Sequence, residues 1–148
     1  MSTTGLNVFD ATVQKTNQWL NEIQISLELP TKDAAYAALR ATLHTLRDRI
    51  PPKEAVEFGS QLPMLVRGFY FEGFNPAHTP VTDRHKDEFL ARVAALYAQE
   101  EVDTERMVRA VFETVNHFVS AGQVDEIRHM LNDDYRDALW PQPEQDRP

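Results

Sequence analysis

The two halves of this 148-residue chain repeat each other at an offset of 69 residues. From Leu39 to Trp140 the alignment needs no gap, and it matches polar positions as well as apolar ones. A repeat of this length is too long for a solenoid unit, so it predicts a duplicated group of helices. The aligned pairs include Leu39 with Val108, Arg40 with Arg109, Leu43 with Phe112, Leu46 with Val115, Glu57 with Glu126, Phe58 with Ile127, Arg67 with Arg136 and Phe71 with Trp140.

The repeat predicts an all-α, single-domain helical bundle of about six to eight helices, built from two pseudo-repeated halves of three to four helices each. The halves span residues 6–74 and 80–140. Because a unit of about 70 residues has a marginal core on its own, we expect the two halves to share one core within a single domain, 1–148. The tail 141–148, PQPEQDRP, is polar and rich in proline, and we expect it to be flexible and to bury nothing.

Apolar residues at three- and four-residue spacing predict the helices, and prolines separate them. The first pattern begins near Phe9 and ends before Pro30. Thr31 is predicted to cap the second helix, which the prolines at 51 and 52 end. The chain shows no pair of strand patterns joined by a hairpin signal, which favours an all-helical fold.

Three boundary residues are predicted in the second half. Thr82 or Asp83 should begin a helix, and Asp103 should cap the following one. Gly122 should end that helix in the left-handed conformation that glycine adopts easily.

Charge and composition argue against several classes of function. The net charge is −8 and the pI about 5.0, so the chain should repel nucleic acids and anionic membrane surfaces. The absence of cysteine excludes disulfides, thiolate metal sites and a cysteine nucleophile. No apolar run reaches the length of a membrane span, and the start MSTTGLNVFD does not look like a signal peptide. We therefore expect a cytoplasmic protein.

The stretch QLPMLVRGFYFEGFNP, Gln61 to Pro76, concentrates four aromatic residues in six positions. Phe71 aligns with Trp140, and we interpret this pair as aromatic residues that fill the core. Phe69, Tyr70 and Phe74 have no aromatic counterpart in the second half. They are the candidate interaction surface, and the alternative is that they cover the shared core.

The segment LRATLHTLRDRIPPKEAVEFGSQLPMLVRGFYFEGF, Leu39 to Phe74, resembles a bacterial family of small helical proteins known only as domain of unknown function 2267. The motifs LRDR, PP, QLP and RGFYFEG carry the resemblance, which extends over most of residues 5–140. The family has no established activity, so no catalytic residues can be carried over from it. The resemblance implies a soluble, all-helical bacterial protein.

No residue pattern predicts a catalytic centre, a metal site or a cofactor. His-Glu-x-x-His, phosphate-binding glycine loops and the Gly-x-Ser-x-Gly nucleophile motif are absent from the sequence. Three histidines have acidic neighbours that a divalent metal could use, but charged helix surface is the preferred interpretation of each group. The groups are Glu126 with His129, Glu113 with His117, and His85 with Asp83, Asp87 and Glu88.

Arg40, His44 and Arg47 share one flank of the second helix and are candidate contacts for an anion or ligand. In so acidic a chain we expect them to pair instead with acidic residues of a neighbouring helix. Those acidic residues are Glu100, Glu101, Asp103 and Glu105.

The repeat also predicts two structural ion pairs, Glu57–Arg67 and Glu126–Arg136, which would orient consecutive helices within each half.

These observations favour a non-enzymatic protein that acts through a protein partner or as a homo-oligomer. The alternative is a small-ligand or divalent-metal-binding protein, even an enzyme, with a pocket between the halves near Arg40, His44, Arg109 and the aromatic stretch. Nucleic-acid binding would require a basic patch that overcomes the net charge.

Overall fold

The computed structural model describes residues 3–99 and 102–143. The described residues form eight α-helices, one 3₁₀ turn and no strand, which confirms the all-helical bundle. The helices are α1 (Asn7–Leu27), α2 (Lys32–Arg49), α3 (Pro52–Ser60), α4 (Met64–Phe71), α5 (Lys86–Leu96), α6 (Thr104–Phe118), α7 (Ala121–Arg128) and α8 (Arg136–Leu139), with the 3₁₀ turn at Pro76–His78.

Most helix boundaries follow the local chemistry that the sequence predicts. The Thr31 side chain accepts a hydrogen bond from the backbone N–H of Ala34 at 3.1 Å, and so caps α2. Asp103 caps α6 by accepting from Glu105 N at 3.2 Å. The break between α2 and α3 falls at Pro51, because proline supplies no backbone donor to continue the first helix.

Two predicted boundaries are wrong. Gly122 lies inside α7 and does not end α6; Val119 takes extended backbone after α6, and the Ser120 hydroxyl caps α7. Helix α5 begins at Lys86, later than Thr82 or Asp83. Asp83 does not cap a helix because its carboxylate is buried in contact with side chains from elsewhere in the chain.

Helices α2 and α6 form the centre of the bundle. Helix α2 contacts α1, α3, α4, α5 and α6, and α6 contacts α1, α2, α5, α7 and α8. Seven aromatic side chains are fully buried in this core; Phe112 lies on α6, and the other six come from outside α2 and α6. They are Trp19, Phe58, Tyr70, Phe89, Phe112, Tyr135 and Trp140.

The division into two halves stays a prediction, although local contacts recur at its 69-residue offset. The Thr45 hydroxyl donates to Ala41 O, and the Thr114 hydroxyl donates to Ala110 O.

The described part of the tail, residues 141–143, differs from the expectation that the tail buries nothing. Pro143 is buried, whereas residues 144–148 lie outside the described part of the chain.

Candidate functional site

The aromatic stretch packs into the protein and does not form the predicted interaction surface. Tyr70 is fully buried, and Phe69 is 9% exposed and lies edge-to-face against Tyr36. Phe74 is partly buried, with the Arg47 guanidinium over its ring. The alternative interpretation, that these three residues cover the core, therefore describes their placement better.

Burial of Tyr70 follows from the register of helix α4, which presents this ring to α3. Its hydroxyl donates to the carbonyl of Ala55 at 2.7 Å, and burial raises the pKa of the Tyr70 phenol. Gly59 on α3 permits the close approach, because a Cβ there would lie 2.4 Å from the Phe71 ring and 2.9 Å from that of Tyr70. Phe71 itself is only partly buried, whereas Trp140 is completely buried.

Arg40, His44 and Arg47 come together as predicted, but they bind the C-terminal end of α4. Arg47 donates to Tyr70 O and Glu72 O, both at 2.8 Å, and pairs with the Asp48 carboxylate at 2.9 Å. These donors satisfy carbonyls that the end of a helix leaves without partners. They also place positive charge at the negative end of the helix dipole.

The other two side chains of this basic flank are also occupied by protein acceptors. Arg40 pairs with Glu72 at 2.6 Å, and this hydrogen bond lowers the pKa of the Glu72 carboxyl. His44 Nε2 lies 2.6 Å from Phe69 O. A carbonyl oxygen can only accept, so Nε2 carries the proton.

The acidic residues that were predicted to pair with the basic flank make other contacts. This holds for the two of them that the structure describes. Asp103 caps α6, and Glu105 pairs with Lys86 at 2.7 Å. Glu100 and Glu101 lie outside the described residues. The basic flank thus serves as a cap for α4, and its role as an anion contact has no support from this geometry.

We expect the stability of the protein to fall as the pH is lowered from about 6.5, because of His44. Burial lowers the pKa of this imidazole, Arg47 and Arg40 add to the effect, and the hydrogen bond to Phe69 opposes it. The unfolded chain therefore binds a proton before the folded chain does, and the free energy of unfolding decreases through this window. Urea titrations between pH 5.5 and 7.5 would measure the slope.

The control for this prediction is His44→Gln, which keeps a nitrogen donor at a similar reach but does not titrate. Its unfolding free energy should vary less across the same pH window. Identical slopes for the two proteins would contradict the assignment of the pH dependence to His44.

The predicted ion pairs Glu57–Arg67 and Glu126–Arg136 do not form among the described residues. Arg67 instead donates to the carbonyls of Gly59, Ser60 and Leu62 at 3.0–3.3 Å. Arg136 donates to the carbonyls of Arg128, His129 and Leu131 at 2.8–3.4 Å. Each arginine caps the end of the preceding helix, α3 or α7, where backbone acceptors lack helical partners.

The histidines that have acidic neighbours in sequence are held by other residues. His117 Nδ1 lies 2.5 Å from Glu22, His85 lies 3.5 Å from Asp134, and His129 Nδ1 contacts Asp125 O at 2.6 Å. Within residues 3–99 and 102–143, no three metal-ligating side chains of His, Asp or Glu come together.

An exposed apolar surface lies at the starts of α1 and α4, and it includes none of Phe69, Tyr70 and Phe74. We call it the apolar patch; it comprises Leu6, Val8, Phe9, Met64 and Leu65, which are 45–51% exposed. Leu65 N donates to the Thr12 hydroxyl at 2.9 Å, which joins the two helix starts. Val8 and Phe9 lie one turn before Thr12 on the same face of α1.

The five side chains of the apolar patch are themselves uncharged. Asp10 follows Phe9 directly, and its carboxylate accepts a hydrogen bond from Thr4 N at 3.0 Å. Residues 3–9 and 58–66 contain no Asp, Glu, Lys, Arg or His. These two segments are about 50 residues apart in the chain. Sequence analysis missed the patch because nothing in the pattern shows that the two helix starts are neighbours.

A cavity of about 420 Å³ lies at the C-terminal end of α1. The turn between α1 and α2 lines one side of it, and Tyr97, Val102 and Arg106 of the α5–α6 region line the other. Glu28 forms part of the wall in the left-handed conformation, with φ 54°. This cavity lies between the two predicted halves, but not beside Arg40, His44 and Arg109, which are bonded to protein groups.

The helical bundle defines a small all-α protein. The family model of an uncharacterized conserved protein, DUF2267, matches residues 16–138. The match covers most of the chain, which therefore belongs to this family. No curated protein matches the chain in sequence. Among the described helices, none has both the length and the apolar character that crossing a bilayer requires.

Proposed function

We propose that this protein is non-enzymatic and functions by self-association through the apolar patch. The observation that carries the proposal is the clustering of exposed apolar side chains. Nine large apolar side chains are exposed in the described residues, and five of them belong to this one surface. Contiguous apolar surface on a protein is typical of an interaction site, whereas isolated exposed residues are ordinary.

A second copy of the chain is the partner that the charge distribution favours. Two molecules of charge −8 repel each other at most orientations, and the uncharged patch is where they can approach with the least repulsion. An apolar, uncharged surface is also complementary to itself, as a two-fold symmetric contact requires. The core of a protein interface is typically depleted of charged residues in the same way.

Replacing Phe9 and Leu65 with serine should weaken self-association at least about tenfold, equivalent to ~1.4 kcal/mol of binding free energy. Light scattering on a sizing column across a dilution series would measure the dissociation constant of the wild type and of the double variant. The matched control is Ile25→Ser, because Ile25 is 77% exposed on the same helix but lies outside the patch. It should associate as the wild type does.

The dependence on salt provides an independent check. Raising the salt concentration shortens the screening length from about 10 Å at 0.1 M to about 3 Å at 1 M, so the repulsion between the two copies falls. Association should strengthen with salt. A monomer at every concentration, or a patch variant that associates like the wild type, would contradict the proposal.

The second candidate function is the binding of a small organic molecule in the cavity between the α1–α2 turn and the start of α6. Its volume of about 420 Å³ supports this alternative, because ligand sites typically measure ~300–1,000 Å³. Native mass spectrometry would detect a bound molecule. Ala34→Leu, which narrows the cavity, should release it while leaving self-association unchanged.

A further inference from the structure

Residues 79–85 connect the 3₁₀ turn to α5 without forming a helix, and this segment contains a buried carboxylate. The Asp83 side chain has no solvent exposure, although Thr82 and Arg84 beside it are exposed. We call residues 79–85 the strap. It runs over the C-terminal end of α2, where Val81 N donates to Asp48 O at 2.7 Å.

Three parts of the fold meet at Asp83. Arg49, at the end of α2, places Nε 2.6 Å from Oδ1. The hydroxyl of Tyr135, just before α8, donates to the same oxygen at 2.8 Å. Arg92 on α5 lies farther away, with Nε 3.8 Å from Oδ2. Burial raises the pKa of Tyr135 and the bond to Asp83 raises it further, so the phenol remains a neutral donor.

The Asp83 side chain is the buried attachment of the strap, beside the backbone bond of Val81 to Asp48 and the exposed contact of His85 with Asp134. A buried carboxylate is tolerated only when charged and hydrogen-bonded partners compensate for its lost hydration. Oδ2 makes no hydrogen bond, so the contacts of Oδ1 supply most of that compensation. Helix α1 packs against α6, and α2 packs against α5 and α6. These contacts between helices do not involve the strap.

We propose that residues 79–85 form a strap that can open locally, and that the Asp83 carboxylate is the latch that holds it against Arg49 and Tyr135. Opening the strap would release the Tyr135 hydroxyl, whose ring packs against Phe89 with 5.4 Å between the ring centroids. The bundle would stay folded around α2 and α6. This inference is independent of the apolar patch and of self-association.

Limited digestion with trypsin tests the latch, because Arg84 and Lys86 place cleavable bonds within and beside the strap. Asp83→Asn should speed cleavage after Arg84 at least about tenfold, since cleavage of a locally opened segment follows the population of the open form. Cleavage after lysines and arginines outside residues 79–86 should keep its wild-type rate. The matched control is Asp87→Asn, which removes the same charge from an exposed position at the start of α5.

A second variant keeps the test decisive if Asp83→Asn does not fold. In Arg49→Gln, the glutamine amide can still donate a hydrogen bond at this position, where the arginine side chain is 16% exposed. This variant should accelerate cleavage after Arg84 to a smaller extent than Asp83→Asn. Mass spectrometry of the peptides would assign each cut. An unchanged rate after Arg84 in the folded variants, or equal acceleration at every site, would overturn the proposal.

Discussion

Replacing Arg47 with methionine is expected to lower the free energy of unfolding by about 2–5 kcal/mol. Arg47 is 4% exposed, and its guanidinium is the shared donor for the Tyr70 and Glu72 carbonyls at the end of α4. Methionine fills similar space but leaves the buried bond to the Tyr70 carbonyl and the part-buried bond to the Glu72 carbonyl unmade, and a buried unsatisfied carbonyl costs about 1–3 kcal/mol. Urea denaturation followed by circular dichroism would measure the change.

Arg40→Met is the matched control for Arg47→Met, since it removes the same charge from the same face of α2. Arg40 is one-third exposed, and its partner Glu72 is mostly exposed, so water replaces the lost contact. Its effect on stability should be much smaller. Equal effects of the two substitutions would show that net charge, and not the capping of α4, explains the loss.

Replacing Trp140 with alanine should destabilise the protein by about 3–5 kcal/mol, as expected for removal of a large core side chain. Trp140 is fully buried and stacks on Phe112, with 4.2 Å between ring centroids. Its backbone carbonyl also accepts from Arg128 Nε at 2.8 Å, which anchors the end of α8. Thermal unfolding and urea denaturation would both report the change.

Trp140→Phe separates the contribution of the ring stack from that of the hydrogen bond of the indole nitrogen. Phenylalanine keeps a ring against Phe112 but loses the donor to Asn116 Oδ1, which lies 2.8 Å from the indole nitrogen. A single neutral hydrogen bond contributes about 1 kcal/mol, so the loss should lie well below that for alanine. A phenylalanine variant as unstable as the alanine variant would argue that the ring stack contributes little.

The sequence predicted the helical elements well because their causes are local. Spacing of apolar residues marks the buried face of each helix, and proline or a capping side chain marks its end. The predictions at Thr31, Pro51 and Asp103 are confirmed for this reason. The prediction at Gly122 is wrong because glycine is also tolerated within a helix, and sequence alone does not distinguish the two uses.

The predictions about polar partners were less successful, and the reason is physical. Sequence shows charged side chains, so the predicted partners of Arg67 and Arg136 were glutamates. Both arginines bind backbone carbonyls, which occur at every residue and become strong acceptors only where a helix ends. The partners of the Asp83 carboxylate are side chains, but the sequence did not reveal them. Arg49 and Tyr135 are 34 and 52 residues away from Asp83 in the chain.

The sequence by itself determined the all-helical class, most of the helix boundaries and the family of this protein, because these depend on patterns within one segment. The tertiary structure alone decided which aromatic rings are buried, what the basic flank of α2 binds and where apolar surface remains exposed. Each of these depends on which segments become neighbours, and hydrophobic spacing specifies a buried face without specifying what covers it. The apolar patch lies where the start of α4 meets α1, at the hydrogen bond from Leu65 N to the Thr12 hydroxyl.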